Sequence, residues 1–213
     1  MKKILCMFLC LGMLLGCSSK QTENTKIQET EIEKEIKEYK EILDQYSGYE
    51  SGTYEVGKDI DAGEYCLFAD RLDFKSNSYT VRDTEYDEGQ DTLAYKTDFF
   101  NSYITLKEGD FIEFESAKLF KSSSMPEVFI DYPYIVAKVG KDIEAGNYII
   151  KPLPEEEWVT NTGVYFSVYN PVSTKYNRNE IVINDIDFTG NKKIKLKDGQ
   201  YLEVENCTFE KVD

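Results

Sequence analysis

Carboxylates dominate the side chains of this sequence that could take part in acid–base chemistry. The 213 residues include 40 aspartates and glutamates, 25 lysines and arginines, and no histidine. Histidine is the most common general base, so mechanisms that pair it with a serine or cysteine nucleophile are excluded. Two facing carboxylates remain the one catalytic arrangement to consider. No such pair stands out, and we therefore expect neither enzyme activity nor a cofactor.

Five carboxylates crowd one predicted loop around Gly89, where their hard oxygen atoms could hold Ca²⁺. They are Asp83, Glu85, Asp87, Glu88 and Asp91. An EF-hand loop has its glycine in the sixth place, whereas Gly89 is seventh counted from Asp83. We therefore expect a solvated acidic loop, with calcium binding as the weaker alternative.

The one tryptophan, Trp158, lies in a predicted loop that spans Pro152–Gly163. An exposed indole in such a loop could stack on a sugar ring or anchor a protein partner. The alternative is that the ring folds back over the edge of the core. The sequence leaves both interpretations open.

The N-terminus has the pattern of an export signal. A positively charged start at residues 1–3 precedes an apolar run at residues 4–15. A helix of that run would be about 18 Å long, which is shorter than the ~30 Å hydrocarbon core of a bilayer. The sequence Leu14-Leu15-Gly16-Cys17 resembles the lipobox of bacterial lipoproteins. The resemblance implies removal of residues 1–16, lipidation of Cys17 with acyl chains such as palmitate, and attachment to the extracytoplasmic face of the cell membrane.

The exported chain is strongly acidic. The net charge is −15, and loss of the two positive charges of Lys2 and Lys3 with the signal peptide makes it −17. Residues 52–120 carry −9 of this charge, whereas residues 134–213 carry only −3. Because an acidic surface repels phosphate backbones, we expect no nucleic-acid partner.

Residues 17–51 begin with the lipidated cysteine and continue as a flexible leash, Ser18–Thr25. A helical stalk is predicted after it, from about Lys26 to Tyr46. Its apolar residues are spaced alternately by four and three positions, which is typical of an amphipathic helix; they are Ile32, Ile36, Tyr39, Leu43 and Tyr46. This stripe could pack on the first β-domain or on the stripe of a partner. The alternative is a partly disordered spacer.

An internal duplication organises the rest of the chain. Residues 56–65 match residues 139–148 at eight of ten positions, and residues 104–115 match residues 194–205 in the same order. We therefore predict a first β-domain at residues 52–120, a linker at residues 121–133 and a second β-domain at residues 134–213.

The repeated residues are typical of turns between strands. Glycine permits a backbone turn with positive φ, and an aspartate beside it can accept hydrogen bonds from backbone amides. Each tyrosine that follows should point inward from a new strand. These structural residues are Gly57, Asp59, Gly63, Tyr65 and the hairpin glycine Gly109 in the first copy, and Gly140, Asp142, Gly146, Tyr148 and Gly199 in the second.

About six short strands per copy predict a mainly β fold. We expect two tandem antiparallel domains that resemble β-sandwiches or jelly rolls. Cys66 and Cys207 fall in different copies, so we expect two unpaired, buried thiols in preference to a disulfide.

The motif Val-Gly-x-Asp-Ile-x-Ala-Gly-x-Tyr resembles a repeat in uncharacterised lipoproteins and surface proteins of low-GC Gram-positive bacteria. The resemblance implies extracytoplasmic β-domains and brings no catalytic residues. We expect a non-catalytic, lipid-anchored surface protein that binds a protein or an envelope glycan. Two alternatives stay open: a carboxylate-based hydrolase of cell-wall or surface polysaccharide, and a structural or envelope-sensing lipoprotein without a soluble ligand.

Overall fold

The structure is a computed structural model that describes residues 37–70, 77–83, 92–128, 130, 132–170 and 180–212. The predicted signal peptide, Cys17, the leash and the first two residues of the apolar stripe lie outside the described residues. So do four of the five acidic loop residues, Glu85, Asp87, Glu88 and Asp91.

The described chain is mainly β and forms several antiparallel sheets, which confirms the mainly β, antiparallel part of the predicted fold class. The strands of the first half are β1 (Gly52–Glu55), β2 (Gly63–Ala69), β3 (Ser78–Arg82), β4 (Thr92–Thr97), β5 (Asn101–Leu106), β6 (Phe111–Glu115) and β7 (Ala117–Lys121). Those of the second half are β8 (Tyr134–Lys138), β9 (Gly146–Pro152), β10 (Tyr165–Asn170), β11 (Glu180–Ile186), β12 (Lys192–Leu196), β13 (Tyr201–Glu205) and β14 (Cys207–Val212).

The order of the strands is the same in both halves. The first half has the sheets β1-β6-β3-β4 and β5-β2-β7, and the second has β8-β13-β10-β11 and β12-β9-β14. Adding seven to each strand number converts the first pair of sheets into the second. Each half has seven described strands, one more than the sequence pattern indicated.

Local irregularities also occur at matching places. The register of the outer strand pair shifts between Val81 and Arg82 in the first half, and between Val168 and Tyr169 in the second. Non-glycine residues with left-handed backbone angles likewise occur as two matching pairs, Asp98 with Asp187 and Ser116 with Asn206.

The motif turns hold the ends of strands β1 and β8. Gly57 has a φ of +94° and Gly140 a φ of +87°, which explains the need for glycine at both positions. In the second turn the Lys138 amide donates to Asp142 Oδ2 at 2.7 Å, and the first turn has the same bond from the Glu55 amide to Asp59 Oδ2 at 2.9 Å. Each aspartate thus satisfies a backbone donor at the end of its strand.

The main difference between the halves is the burial of strand β2. Tyr65 and Leu67 point into the core of the first half. Cys66 and Phe68, on the opposite face, belong to a second core that the second half and parts of the first half form together; we call it the shared core. The equivalent strand β9 alternates between buried and more exposed residues, as a sheet with one solvated face does. The two pairs of sheets therefore pack against each other through the outer face of β5-β2-β7.

Two connecting segments complete this packing. Residues 37–43 are helical, and their apolar residues Tyr39 and Leu43 are buried in the shared core. Tyr39 Oη donates to the Ala69 carbonyl at 2.5 Å, so this part of the stripe packs on the β-structure. The helix ends at Leu43, earlier than predicted. In the predicted linker, Met125 and Val128 are buried in the same core.

No helix of the described residues is long and apolar enough to cross a bilayer.

Candidate functional site

The predicted metal loop is only partly described. Asp83 is exposed directly after strand β3. Within the described ranges no three side chains of histidine, cysteine, aspartate or glutamate come together in a group that could hold a metal ion.

Trp158 lies at the edge of the core in the second half. It follows the 3-10 turn Glu155–Glu157, and its ring packs partly buried against the shared core. The indole Nε1 donates to the Leu153 carbonyl at 2.9 Å, and Asn206 holds the next residue through a bond from the Val159 amide at 2.8 Å. The polar end of the indole is therefore engaged within its own loop.

The two cysteines among the described residues, Cys66 and Cys207, are unpaired and buried. Burial raises the pKa of the Cys207 thiol to about 12, and it raises the pKa of Cys66 well above its ordinary value. Because the thiolate is the reactive form, neither cysteine is suited to nucleophilic chemistry in the folded protein.

A group of titratable side chains lies between the two halves. We call it the inter-repeat cluster; it consists of Glu64, Tyr103, Lys138, Lys141, Asp142 and Tyr201. Of these residues the sequence pattern predicts only Asp142, as a structural turn residue, and nothing in the pattern joins the others into a group.

Glu64 is the centre of one side of the cluster. Its carboxylate accepts hydrogen bonds from Lys138 Nζ at 2.7 Å, from Ser122 Oγ at 2.6 Å and from the hydroxyl of Tyr201. Burial alone would raise the pKa of Glu64, but these hydrogen bonds, with that from Lys138 the largest, outweigh burial and lower it. The carboxylate is consequently held in its charged form by two groups of the second half, Lys138 and Tyr201, and by Ser122 of the predicted linker.

Asp142 forms the other side of the cluster. The Tyr103 hydroxyl donates to Asp142 Oδ2 at 2.7 Å, the same oxygen that accepts the Lys138 amide, and Lys141 Nζ lies 3.3 Å from that hydroxyl. Burial, together with nearby negative charge including Asp142, raises the pKa of Tyr103, so the hydroxyl keeps its proton and donates. A turn residue of the second half therefore also binds the first half.

A second ion pair and an amide extend the contact between the halves. Lys96 Nζ lies 2.8 Å from Glu203 Oε1, and the two side chains are 21 % and 15 % exposed. Burial alone would lower the pKa of Lys96, but the Glu203 carboxylate outweighs it and leaves the pKa raised. Asn101 donates to the carbonyl of Val136 and accepts from its amide, at 2.7 and 2.8 Å.

These contacts suit a permanent joint better than a substrate site. Each carboxylate in the cluster and in the Lys96–Glu203 pair is already bound by a lysine or a hydroxyl of the chain itself. Charges that are paired and hydrogen-bonded in this way are stable in a buried position, whereas removing one partner leaves the other uncompensated.

The two halves differ in sequence where they meet. Glu64 corresponds to Asn147 in the repeated motif, and it is one of only two positions in that ten-residue match where the copies differ. Tyr103 directly precedes the second match, residues 104–115 with 194–205, and at the same offset of 90 residues it corresponds to Lys193, which is exposed. The contact between the halves could have been found from the sequence by looking for positions, such as Glu64, at which one copy of the repeat differs from the other.

An exposed apolar edge is the second notable feature. Strand β11 borders the sheet β11-β10-β13-β8 and pairs with β10 alone among the described strands. Three of its aliphatic side chains are largely exposed: Ile181 at 62 %, Val182 at 49 % and Ile186 at 58 %. We call these three residues the β11 edge. Half of the six large apolar side chains that are exposed among the described residues thus lie on this one strand. Exposed apolar surface in one place is typical of interaction sites.

Comparison of the chain with protein-family models, with curated proteins and with solved structures finds no match.

Proposed function

We propose that this protein is a non-catalytic lipoprotein, anchored through Cys17 on the extracytoplasmic face of the cell membrane, that presents the β11 edge to a protein partner. In this proposal the exported chain carries two tandem antiparallel β-sandwich domains, joined into one body by the inter-repeat cluster. The observation that carries the proposal is the β11 edge, where three aliphatic side chains stand exposed along one border strand.

The repeated strand order supports the proposed domain division at residues 52–120 and 134–213. Both halves have one four-stranded and one three-stranded sheet with the same connections. The shared core and the cross-contacts of Glu64 and Glu203 support a fixed arrangement of the two domains. A fixed arrangement gives the anchored protein a defined surface, in place of two independently moving modules.

The pairing within the inter-repeat cluster favours a binding protein over a polysaccharide hydrolase. A hydrolase of this kind needs two carboxylates that face a substrate across a cleft, about 5 to 10 Å apart. Glu64 and Glu203 instead face lysines of the opposite half. A protein partner is also favoured over a glycan, since the indole of Trp158 is partly buried against the core and bonded to Leu153.

Metabolic labelling of cells with an alkyne-tagged fatty acid tests the anchor. The full chain is expected to take up the label and to be cleaved by protease added outside spheroplasts, whereas Cys17→Ala should carry no label. Equal labelling of Cys17→Ala, or protection from external protease, would contradict the proposed location.

Photo-crosslinking in intact cells tests the binding surface. Asn184 lies in β11 at the position that Tyr95 occupies in strand β4, as the matching registers of the two strand pairs show. A benzophenone amino acid at Asn184 should therefore fit the fold, and the same group at Tyr95, which is 64 % exposed, is the matched control. An adduct from Asn184 that is absent from the Tyr95 control supports the proposal, and no adduct from either position would overturn it.

A further inference from the structure

We propose that the partner of the β11 edge is a second copy of this chain, with β11 of one molecule pairing antiparallel with β11 of another about a two-fold axis. This inference rests on the proposed function, because it names the partner of the same surface. It would join the two four-stranded sheets of the second halves into one continuous sheet.

The backbone of β11 is suited to such pairing. Its one side bonds to β10 over most of its length, from Tyr165↔Ile186 to Asn170↔Glu180. Its other side has no partner strand among the described residues. Border strands commonly avoid pairing through proline, charged side chains or a bulge. The seven residues Glu180–Ile186 contain no proline or lysine, and of their two acidic residues Asp185 is paired with Lys192 at 2.8 Å. The one register shift of β11 lies near its beginning, at Val182.

The first half serves as an internal reference for the exposed isoleucines. Strand β3 with its neighbour β4 corresponds to β10 with its neighbour β11. At one end of these pairs Ser78 faces Thr97, and the matching Tyr165 faces Ile186. At the other end Arg82 faces Thr92, and the matching Tyr169 faces Ile181. The same two places in the fold thus hold threonine in β4 and isoleucine in β11. Since the fold forms with threonine there, the isoleucines of β11 are not needed for folding and point to a surface that another chain covers.

Ile181 and Ile186 lie on one face of the sheet, which makes the β11 edge complementary to a second copy of itself. Ile181 and Ile186 have Tyr169 and Tyr165 as cross-strand neighbours, so both isoleucines share the face that carries those tyrosines. In a two-fold antiparallel pair, neighbouring strands lie about 4.8 Å apart, and the isoleucines of each molecule adjoin those of the other on that face. A two-fold contact of one patch with itself is the most common form of protein oligomer.

The distribution of charge favours contact through the second half. Residues 134–213 carry a net charge of −3, against −9 for residues 52–120. Two molecules that meet at β11 bring together their least charged parts. At an ionic strength of 0.15 M, charges further apart than about 8 Å are largely screened, so the acidic first halves oppose this contact little.

The mass of the photo-crosslinked product tests the inference. The full chain with benzophenone at Asn184, purified in detergent and irradiated over a dilution series, is expected to give a product of twice the monomer mass. The double variant Ile181→Thr with Ile186→Thr places the residues of β4 in β11, and loss of apolar burial at both ends should reduce the yield at least about ten-fold. Circular dichroism and thermal unfolding that match those of wild type, measured at a dilution where wild type is monomeric, would show that the variant keeps the fold.

The alternative outcomes separate the two proposals. A product with a different protein in intact cells, and none of twice the monomer mass, would overturn self-pairing and leave the proposed binding surface in place. No product in either setting would overturn both. A dimer product that forms equally well from the Tyr95 control, or that survives in the double variant at unchanged yield, would also overturn self-pairing.

Discussion

Asn101 in the first half pairs with Val136 in the second as a neighbouring strand would. Its side-chain amide donates to the Val136 carbonyl and accepts from the Val136 amide, at 2.7 and 2.8 Å, and Asn101 is itself buried. Strand β8, which contains Val136, borders its sheet, so the asparagine satisfies two backbone groups that the sheet leaves unpaired. This bond, the inter-repeat cluster and the shared core together make the two halves one body.

Replacing Asn101 with Ala should lower the free energy of unfolding by about 2 to 4 kcal/mol. The substitution leaves the buried amide and carbonyl of Val136 without partners, and each unpaired buried group costs about 1–3 kcal/mol. Denaturant unfolding measures the change. Asn191→Ala is the matched control, because Asn191 holds the equivalent position in the second half and is exposed. Equal effects of the two substitutions would contradict the role of Asn101.

Replacing Glu64 with Gln should destabilise the protein by about 2 kcal/mol near neutral pH. The change leaves the mostly buried ammonium of Lys138 without its carboxylate, and a broken buried pair costs about 3–5 kcal/mol, less here because both groups keep some contact with water. Glu210→Gln, in an exposed pair with Lys151, is the control and should have little effect.

The effect of Glu64→Gln should also depend on pH. The folded protein lowers the pKa of Glu64 below its ordinary value of 4.5, so the stability that the charged carboxylate contributes is complete above that value. It is lost as pH falls through the lower folded pKa. The difference in unfolding free energy between wild type and Glu64→Gln should therefore shrink at pH below about 4. A difference that stays constant over this range would exclude the lowered pKa.

The local structure could be predicted from sequence because its causes are local. Gly57 and Asp59 act on backbone groups within a few residues, and their pattern is visible in the repeated motif. The joint could not be predicted in the same way, because Glu64 is 74 residues from Lys138 and 137 from Tyr201. Strand β2 is buried on both faces, yet nothing in its own residues indicates which part of the chain covers Phe68. The exposure of Ile181 likewise depends on the position of β11 at the border of its sheet.

The Lys96–Glu203 pair should show strong coupling in a double-mutant cycle. Lys96→Met leaves the Glu203 carboxylate mostly buried and unpaired, and should cost about 2 to 4 kcal/mol. Lys96→Met combined with Glu203→Met removes both charges and should cost less than the single substitution. Additive effects in equilibrium unfolding would show that the two side chains do not interact.

Replacing Leu43 with Ala should destabilise the folded protein by about 2 to 4 kcal/mol, since Leu43 is fully buried in the shared core. Tyr46→Ala is the control, because Tyr46 is exposed beyond the end of the helix. Thermal unfolding that is unchanged by Leu43→Ala would mean that residues 37–43 do not pack on the β-structure.

Scanning calorimetry of the full chain tests the union of the two halves most directly. One core and the buried pairs around Glu64 and Lys96 span both halves, so we predict a single transition whose calorimetric and van't Hoff enthalpies agree. In the double variant Asn101→Ala with Glu64→Gln, the calorimetric enthalpy should exceed the van't Hoff enthalpy, or the transition should split into two. Two separate transitions in the wild-type protein would contradict a single body built from two repeats.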